Sequence, residues 1–302
     1  MKNILISGGT GFIGRALTSY LLDNYLDAKL TILVRSKHDL PELPRVTYCL
    51  WDVKKKMIDA SVPDDIDTVI HLAGANISAK RWTRSRKQVL LDSRTESGKL
   101  LVDWVLGKGK AVQTFISASA IGWYGEGAPG TIFTEHDPAG HGFLANVCQQ
   151  WEAATSSLAT QGIRTAWIRT GLVLHPTGGM WKALSPAFRC NVAPRFASGK
   201  QCFSWIALAD LVSLYAYVAD HDNIAGPINA VSPHPVAQIE LTKSLIAKQK
   251  SSFIVLPVPR FMLRLALGEL SIELIKNANV SADKIQQMGF RFSAPILADL
   301  PD

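Results

Sequence analysis

Four glycines fall within seven residues, Gly8-Gly9-Thr10-Gly11-Phe12-Ile13-Gly14, directly behind the apolar run Ile4-Leu5-Ile6. A strand, a glycine turn and an amphipathic helix in that order bind anions, because the helix N-terminus offers unpaired N–H groups and the positive end of its dipole. At this spacing Gly8 turns the chain off the strand. Gly11 leaves room for a pyrophosphate against the backbone, and Gly14 lets the helix pack on the sheet. Thr10, Phe12 and Ile13 complete the expected dinucleotide cradle. The next apolar run, Leu30–Val34, ends in Arg35-Ser36-Lys37, without the carboxylate that would bind a ribose 2′-hydroxyl. Arg35 suits a charge-assisted pair with a 2′-phosphate, so the expected cofactor is NADP(H). Asp52, behind a third run, is placed to meet an adenine, and Leu72-Ala73-Gly74 to let the chain pass close to ribose and nicotinamide. His71, alone on an apolar strand, reads as a hydrogen-bonded core residue.

These residues need a scaffold, and the periodicity supplies one. Strands are predicted over Lys2–Ser7, Leu30–Val34, Val46–Leu50, Thr68–Leu72, Thr114–Ser117 and Ala166–Arg169. Helices are predicted over Phe12–Asn24, where the apolar residues share one face, and over Lys87–Leu106. Strands alternating with helices give an α/β fold, a Rossmann-type doubly wound parallel sheet. After about Gly171 glycine and proline become frequent. Ala207–Ala219 reads as a helix, Pro227–Ala230 as a strand returning to the sheet, and Val236–Lys248 and Arg260–Leu274 as helices. The expected division is an NADP-binding domain from 1–172 and 207–231, with a smaller C-terminal substrate lobe from 173–206 and 232–302.

With the cofactor loop, Asp52-Val53, His71–Gly74, Phe115–Ser119 and Trp205–Leu211 in this order, the chain resembles the extended short-chain dehydrogenase/reductase family. A narrower resemblance covers nearly the whole chain. Ala73–Ile77, Arg81-Trp82, Ser93-Arg94, Ser117–Gly125, Trp151-Glu152, Leu256–Pro259 and Gly289–Phe292 are similar to an atypical epimerase-like subfamily with a C-terminal domain of unknown function. That subfamily is also labelled NAD-dependent epimerase/dehydratase, or by an old cell-division-inhibitor name. The wider family carries Tyr-x-x-x-Lys on the helix after the serine strand, and here the resemblance fails. Counting back from Glu152 puts Cys148 in the lysine slot and Leu144 in the tyrosine slot. No tyrosine lies between Tyr124 and Tyr215, and no lysine between Lys110 and Lys182. The one Tyr-x-x-x-Lys in the chain, Tyr25 to Lys29, falls between the first helix and second strand and reads as chance. The resemblance places Ser119 as the catalytic serine. Tyr124 is either a replacement acid or an aromatic wall. Arg94 and Arg169 are expected beside the cofactor, Arg94 as a substitute cation or a ribose and phosphate ligand.

Bulk composition sets the limits. The chain has 302 residues, 47% of them hydrophobic and 19% charged, with a formal net charge of +7. The basic residues form no run interleaved with aromatics, so nucleic acid is not an expected partner. No apolar run reaches the roughly 20 residues a membrane helix needs, and no signal peptide opens the chain, so a cytoplasmic address is the default. The four cysteines, Cys49, Cys148, Cys190 and Cys202, share no CxxC spacing and read as small buried hydrophobes; no metal site is expected. The expected partner is a small-molecule substrate of unknown identity, and a homodimer is allowed. Two functions compete: an NADP(H)-dependent oxidoreductase or epimerase-like enzyme with a rebuilt proton-transfer site, and a non-catalytic NADP(H)-binding sensor or scaffold.

Overall fold

Ile4 and Ile6 point to one face of their strand and Leu5 to the other, and all three are fully buried. A strand whose successive side chains are all apolar needs cover on both faces. The computed structural model, which describes residues 1–128, 130–248 and 252–301, shows that cover. The strands are β1 (Asn3–Ser7), β2 (Lys29–Val34), β3 (Val46–Asp52), β4 (Met57–Ile58), β5 (Thr68–His71), β6 (Thr114–Ala120) and β7 (Arg164–Thr170). They continue with β8 (Leu172–His175), β9 (Val192–Phe196), β10 (Cys202–Phe203), β11 (Trp205–Ala207), β12 (Gly226–Ala230), β13 (Val236–Ala237) and β14 (Ile254–Val258). The central sheet runs β12-β7-β6-β5-β1-β2-β3-β4. Its neighbours are parallel except for the β3–β4 pair at one edge.

Helices α1 (Phe12–Asn24), α2 (Arg84–Gly107), α3 (Phe143–Ala153), α4 (Ser157–Thr160), α5 (Gly179–Arg189) and α6 (Leu208–Asp220) alternate with these strands. Leu17 and Leu21 of α1 and Leu211, Leu214 and Tyr215 of α6 cover the Ile4 and Ile6 face. Leu101, Trp104 and Val105 of α2 cover the Leu5 face with Val69 and Phe115. A third core lies outside the sheet, around Trp181, Phe188, Trp205, Leu241 and Leu263. It is closed by α7 (Gln238–Ala247), α8 (Arg260–Leu267), α9 (Leu270–Ile275) and the pairs β8–β11, β9–β14 and β10–β13. α10 (Asp283–Gln287) packs back on β12. Phe203 and Trp205 are buried in this core. None of the described helices is long and apolar enough to cross a membrane.

Several expected boundaries move. The fifth predicted strand runs on to Ala120, so Ser119 is paired inside the sheet opposite Arg169. Val236 and Ala237 form a short strand ahead of α7. The helix expected over Arg260–Leu274 is two helices, broken at Gly268. Of the cysteines, Cys49 and Cys148 are buried, but Cys190 is exposed at the end of α5 and Cys202 is half-buried.

Candidate active site

The sheet order reverses between β1 and β5, because the chain leaves one toward β2 and the other toward β6. Open α/β sheets bind ligands in the crevice at such a point, beyond the C-terminal strand ends. Here that crevice is floored by the glycine loop and the segment after β5. Gly8 has φ +77, and a Cβ on it would lie 2.8 Å from the backbone nitrogen of Ala73. A Cβ on Gly14 would lie 2.3 Å from the carbonyl oxygen of Gly8, so the first turn of α1 is pressed onto the loop. Gly11 is different: a Cβ there would meet only the Gly8 oxygen, at 3.2 Å, and would otherwise fill open space. Gly11 is the N-cap of α1, which has no side-chain cap and no acidic residue in its first turn. An uncapped helix start above a Cβ-free cradle fits a dinucleotide pyrophosphate. Phe12 turns the other way, and Gly178 passes so close that a Cβ on it would lie 2.1 Å from the ring. The glycine loop therefore meets the turn ahead of α5 through Phe12.

Arg35 stands exposed just past β2, with no hydrogen bond or ion pair among the described residues. Arg15, unremarked in the sequence, bonds through Nε to the Thr10 carbonyl at 2.8 Å and adds a second cation beside the loop. Asp52 turns back on its own chain, with Oδ1 accepting from the amides of Lys54 at 2.9 Å and Lys55 at 3.1 Å. That carboxyl oxygen is engaged in a turn. His71 is fully buried between Ser7, 2.6 Å from Nδ1, and Ser97, 3.2 Å from Nε2. Burial pulls its pKa down to about 4, so at neutral pH it is an uncharged core residue.

Arg94, on α2, is buried with its guanidinium under Gly74 and 4.9 Å over the Trp151 ring. Nη1 donates to the Leu90 carbonyl at 2.8 Å, and no described carboxylate pairs with it. Burial lowers its pKa. The family's lysine slot, Cys148, lies close enough for its charge state to act on Arg94. The Cys148 thiol itself is pushed up to about 12, first by burial and then by the Glu152 charge, so it is protonated at neutral pH. Leu144 sits in the tyrosine slot, its Cβ 3.1 Å from where a Cβ on Gly122 would be.

Ser119 donates to Glu152 Oε1 at 2.6 Å. The same carboxylate takes Nε and Nη2 of Arg169, both at 2.9 Å, in a buried two-pronged pair. Arg169 Nη1 donates to the Tyr124 hydroxyl at 3.1 Å, and that hydroxyl donates to Asn229 Oδ1 at 2.6 Å. The Asn229 backbone N–H donates to Glu135 Oε1 at 2.9 Å. Arg169 also lies 3.8 Å over the Trp123 ring. Burial pushes the Tyr124 phenol up to about 12, against the opposing pull of Arg169. Tyr124 is a protonated, doubly bonded wall, stacked on Phe133 at 5.1 Å between centroids. Sequence reasoning used Glu152 only as an alignment marker and missed its place at the centre of this array. Its neighbours Asn229 and Glu135 carried no local signal. Arg169, expected at the cofactor, is committed to Glu152 and Tyr124 through three of its donors. Among the described residues no cluster of His, Cys, Asp and Glu is arranged to hold a metal ion.

The model of the NAD-dependent epimerase/dehydratase family matches residues 4–230, and that of a domain of unknown function matches residues 258–300. An epimerase family protein of Mycobacterium bovis is 34% identical over 96% of this chain and 93% of its own length. One from Staphylococcus haemolyticus is 33% identical over 97% of this chain and 95% of its own. Among solved structures, a nucleoside-diphosphate sugar epimerase from Corynebacterium glutamicum is 30% identical, with a TM-score of 0.76 over 99% of this chain and 57% of that one. A human epimerase family protein crystallised with NADPH superposes with a TM-score of 0.87 over 98% of this chain and 97% of that one; at 24% identity this likeness is one of fold.

Proposed function

The chain belongs to the NAD-dependent epimerase/dehydratase family, and from that premise we propose that it is an NADP(H)-dependent oxidoreductase whose proton-transfer site is rebuilt on Ser119 and Glu152. The observation that carries the reading is the 2.6 Å bond from Ser119 to a buried carboxylate that Arg169 holds from two sides. Gly8–Gly14 and the start of α1 would hold the pyrophosphate, Leu72–Gly74 would pass the ribose and nicotinamide, and Arg35 would take the 2′-phosphate. Support for NADP over NAD is the free, exposed Arg35 at the end of β2, and the human structure of the same fold crystallised with NADPH. Arg94 would supply positive charge near the cofactor's ribose or phosphates in place of the absent lysine.

When bound, the nicotinamide exchanges a hydride with a substrate carbon; the chain handles the proton. Three donors converge on the Glu152 carboxyl: the Ser119 hydroxyl and Nε and Nη2 of Arg169. Ser119 donates its hydrogen bond to that carboxylate, which leaves its oxygen able to accept one. Such a hydroxyl accepts a proton from a substrate alcohol while passing its own to Glu152. Carbonyl reduction runs the same two transfers backward. Arg169 positions Glu152 and makes no hydrogen bond to Ser119.

A second reading, a nucleotide sensor without turnover, has its own support: Leu144 has no proton to give, and Cys148 is held as a neutral thiol. Titration of NADPH and NADH, then hydride transfer to a carbonyl panel, separates the two. NADPH is expected to bind more tightly than NADH, and Arg35→Ala to weaken NADPH by about tenfold, the low end for a charge-assisted bond because the side chain is exposed. Ser119→Ala is expected to lower turnover by about 10²–10³ with NADPH affinity kept, and Cys148→Ala to leave turnover intact. Equal affinity for the two nucleotides removes the NADP assignment, and unchanged turnover in Ser119→Ala removes the proton route.

A further inference from the structure

Beside Tyr124 a cleft of about 520 Å³ opens between the start of α2, the 140–143 turn and α9. Its volume is that of a small-molecule site. It reaches the array through Tyr124 and the tyrosine slot through Phe143, the neighbour of Leu144. Trp82, Tyr124, Phe143 and Ile272 form its apolar walls, with the Trp82 and Phe143 rings edge to face at 5.1 Å. Trp82 is fixed by its indole N–H, which donates to the Ile77 carbonyl at 2.8 Å.

The charges decide what fits between those walls. Two lysines line the cleft and both are neutralised within it: Lys87 pairs with Glu269, and Lys276 with Glu273 at 2.7 Å. Lys87 also sits 5.2 Å from the Phe143 ring centre. Glu126 is a third carboxylate, left without a cation among the described lining residues. Counted formally, two lysines against three glutamates give the lining a net charge of −1. A diphosphate entering it would meet this negative lining and break an existing ion pair to gain a cation. An uncharged aromatic molecule loses nothing and covers the exposed Ile272.

We propose that this cleft binds an uncharged aryl ketone or aryl alcohol and discriminates against nucleoside-diphosphate sugars, which the family name would suggest. The inference rests on the proposed oxidoreductase site only for the position of the reacting carbon; occupancy of the cleft is a binding property and is tested without turnover.

Saturation-transfer NMR on the NADPH-loaded protein at low ionic strength compares acetophenone and 4-phenyl-2-butanone with UDP and UDP-glucose. The aryl ketones are expected to bind at least about tenfold more tightly than either uridine nucleotide, and Trp82→Ala to weaken them by about tenfold. Glu126 is exposed, so Glu126→Lys keeps the fold while turning the lining charge from −1 to +1. That variant is expected to gain several-fold affinity for UDP-glucose at low salt and to lose the gain at high salt. UDP-glucose binding as tightly as the ketones in the unmodified protein overturns the proposal. So does ketone binding indifferent to Trp82→Ala, or nucleotide binding indifferent to Glu126→Lys. Failure of the oxidoreductase reading has a different signature: the ketones bind, and no hydride moves.

Discussion

Arg94, His71 and Glu152 are all buried and ionisable, and their partners set them apart. Glu152 accepts bonds from Arg169 and Ser119. Arg94 keeps a charge with a backbone carbonyl and an aromatic face for company, an arrangement that leaves it able to meet an anion. His71 is satisfied by two hydroxyls that need no charge on the ring. This neutrality has a consequence for stability. The folded-state pKa of His71 is about 4, below the ordinary value of 6.5. Between those values the unfolded chain binds the proton and the folded chain does not. The stability associated with His71 is therefore complete above about pH 6.5 and is lost as pH falls toward 4, up to about 3 kcal/mol. Urea unfolding at pH 7.5, 6.0 and 5.0 is expected to show that loss, and a His71→Gln variant, whatever its absolute stability, a shallower slope over the same range. Parallel slopes in the two proteins show that other groups carry the acid sensitivity.

At the scale of elements, the glycine loop separates two kinds of constraint that look alike in sequence. A side chain at Gly14 would collide with backbone at 2.3 Å, which no rotamer relieves. A side chain at Gly11 would enter the space proposed for the pyrophosphate and meet one oxygen at 3.2 Å. Gly11→Ala is thus expected to keep a wild-type circular dichroism melt and lose most NADPH affinity. Gly14→Ala is expected to lose the fold itself or several degrees of melting temperature. Unchanged nucleotide binding in a folded Gly11→Ala protein contradicts the placement. The parallel half was legible because its strands are covered on both faces and its first helix follows a glycine turn: α1 has the predicted bounds, and β2 starts one residue early. The divergent half was not. Pro186 stands inside α5 and Pro194 inside β9, where proline obscures the periodicity, yet Trp181, Leu184 and Phe188 bury one face of α5 in the third core. The end of β6 was missed because Ala118, Ser119 and Ala120 have little strand preference of their own; pairing with Ile168, Arg169 and Thr170 imposes it. The same non-locality hid half of the array. Asn229 meets Tyr124 across 105 residues and Glu135 across 94.

For the whole molecule, the question is what holds the C-terminal segment against the sheet domain, since the cleft lies between them. Asp210 occupies the first turn of α6 and is almost fully buried. Its Oδ1 accepts from the Ser293 amide at 2.7 Å and the Ser293 hydroxyl at 2.6 Å, and its Oδ2 from the Ala294 amide at 3.0 Å. A carboxylate there also meets the positive end of the helix dipole. The neighbouring Ser232 hydroxyl donates to the Pro295 carbonyl at 2.6 Å, and Phe290 packs into the α1 and α6 core. Residues 290–295 are therefore a clasp whose polar centre is one side chain. Asp210→Ala leaves the buried Ala294 amide without an acceptor and breaks the two bonds from the exposed Ser293, a loss of about 1–2 kcal/mol. Asp210→Asn retains an oxygen acceptor but forfeits the charge, and a smaller loss is expected. The diagnostic readout is local: amide exchange should accelerate first at Ser293 and Ala294, ahead of β1 and β6 in the sheet core, because opening the clasp exposes the C-terminal segment without unfolding the parallel strands. Uniform acceleration across the sheet and the clasp means the two parts unfold as one unit, and Asp210 then contributes to global stability alone.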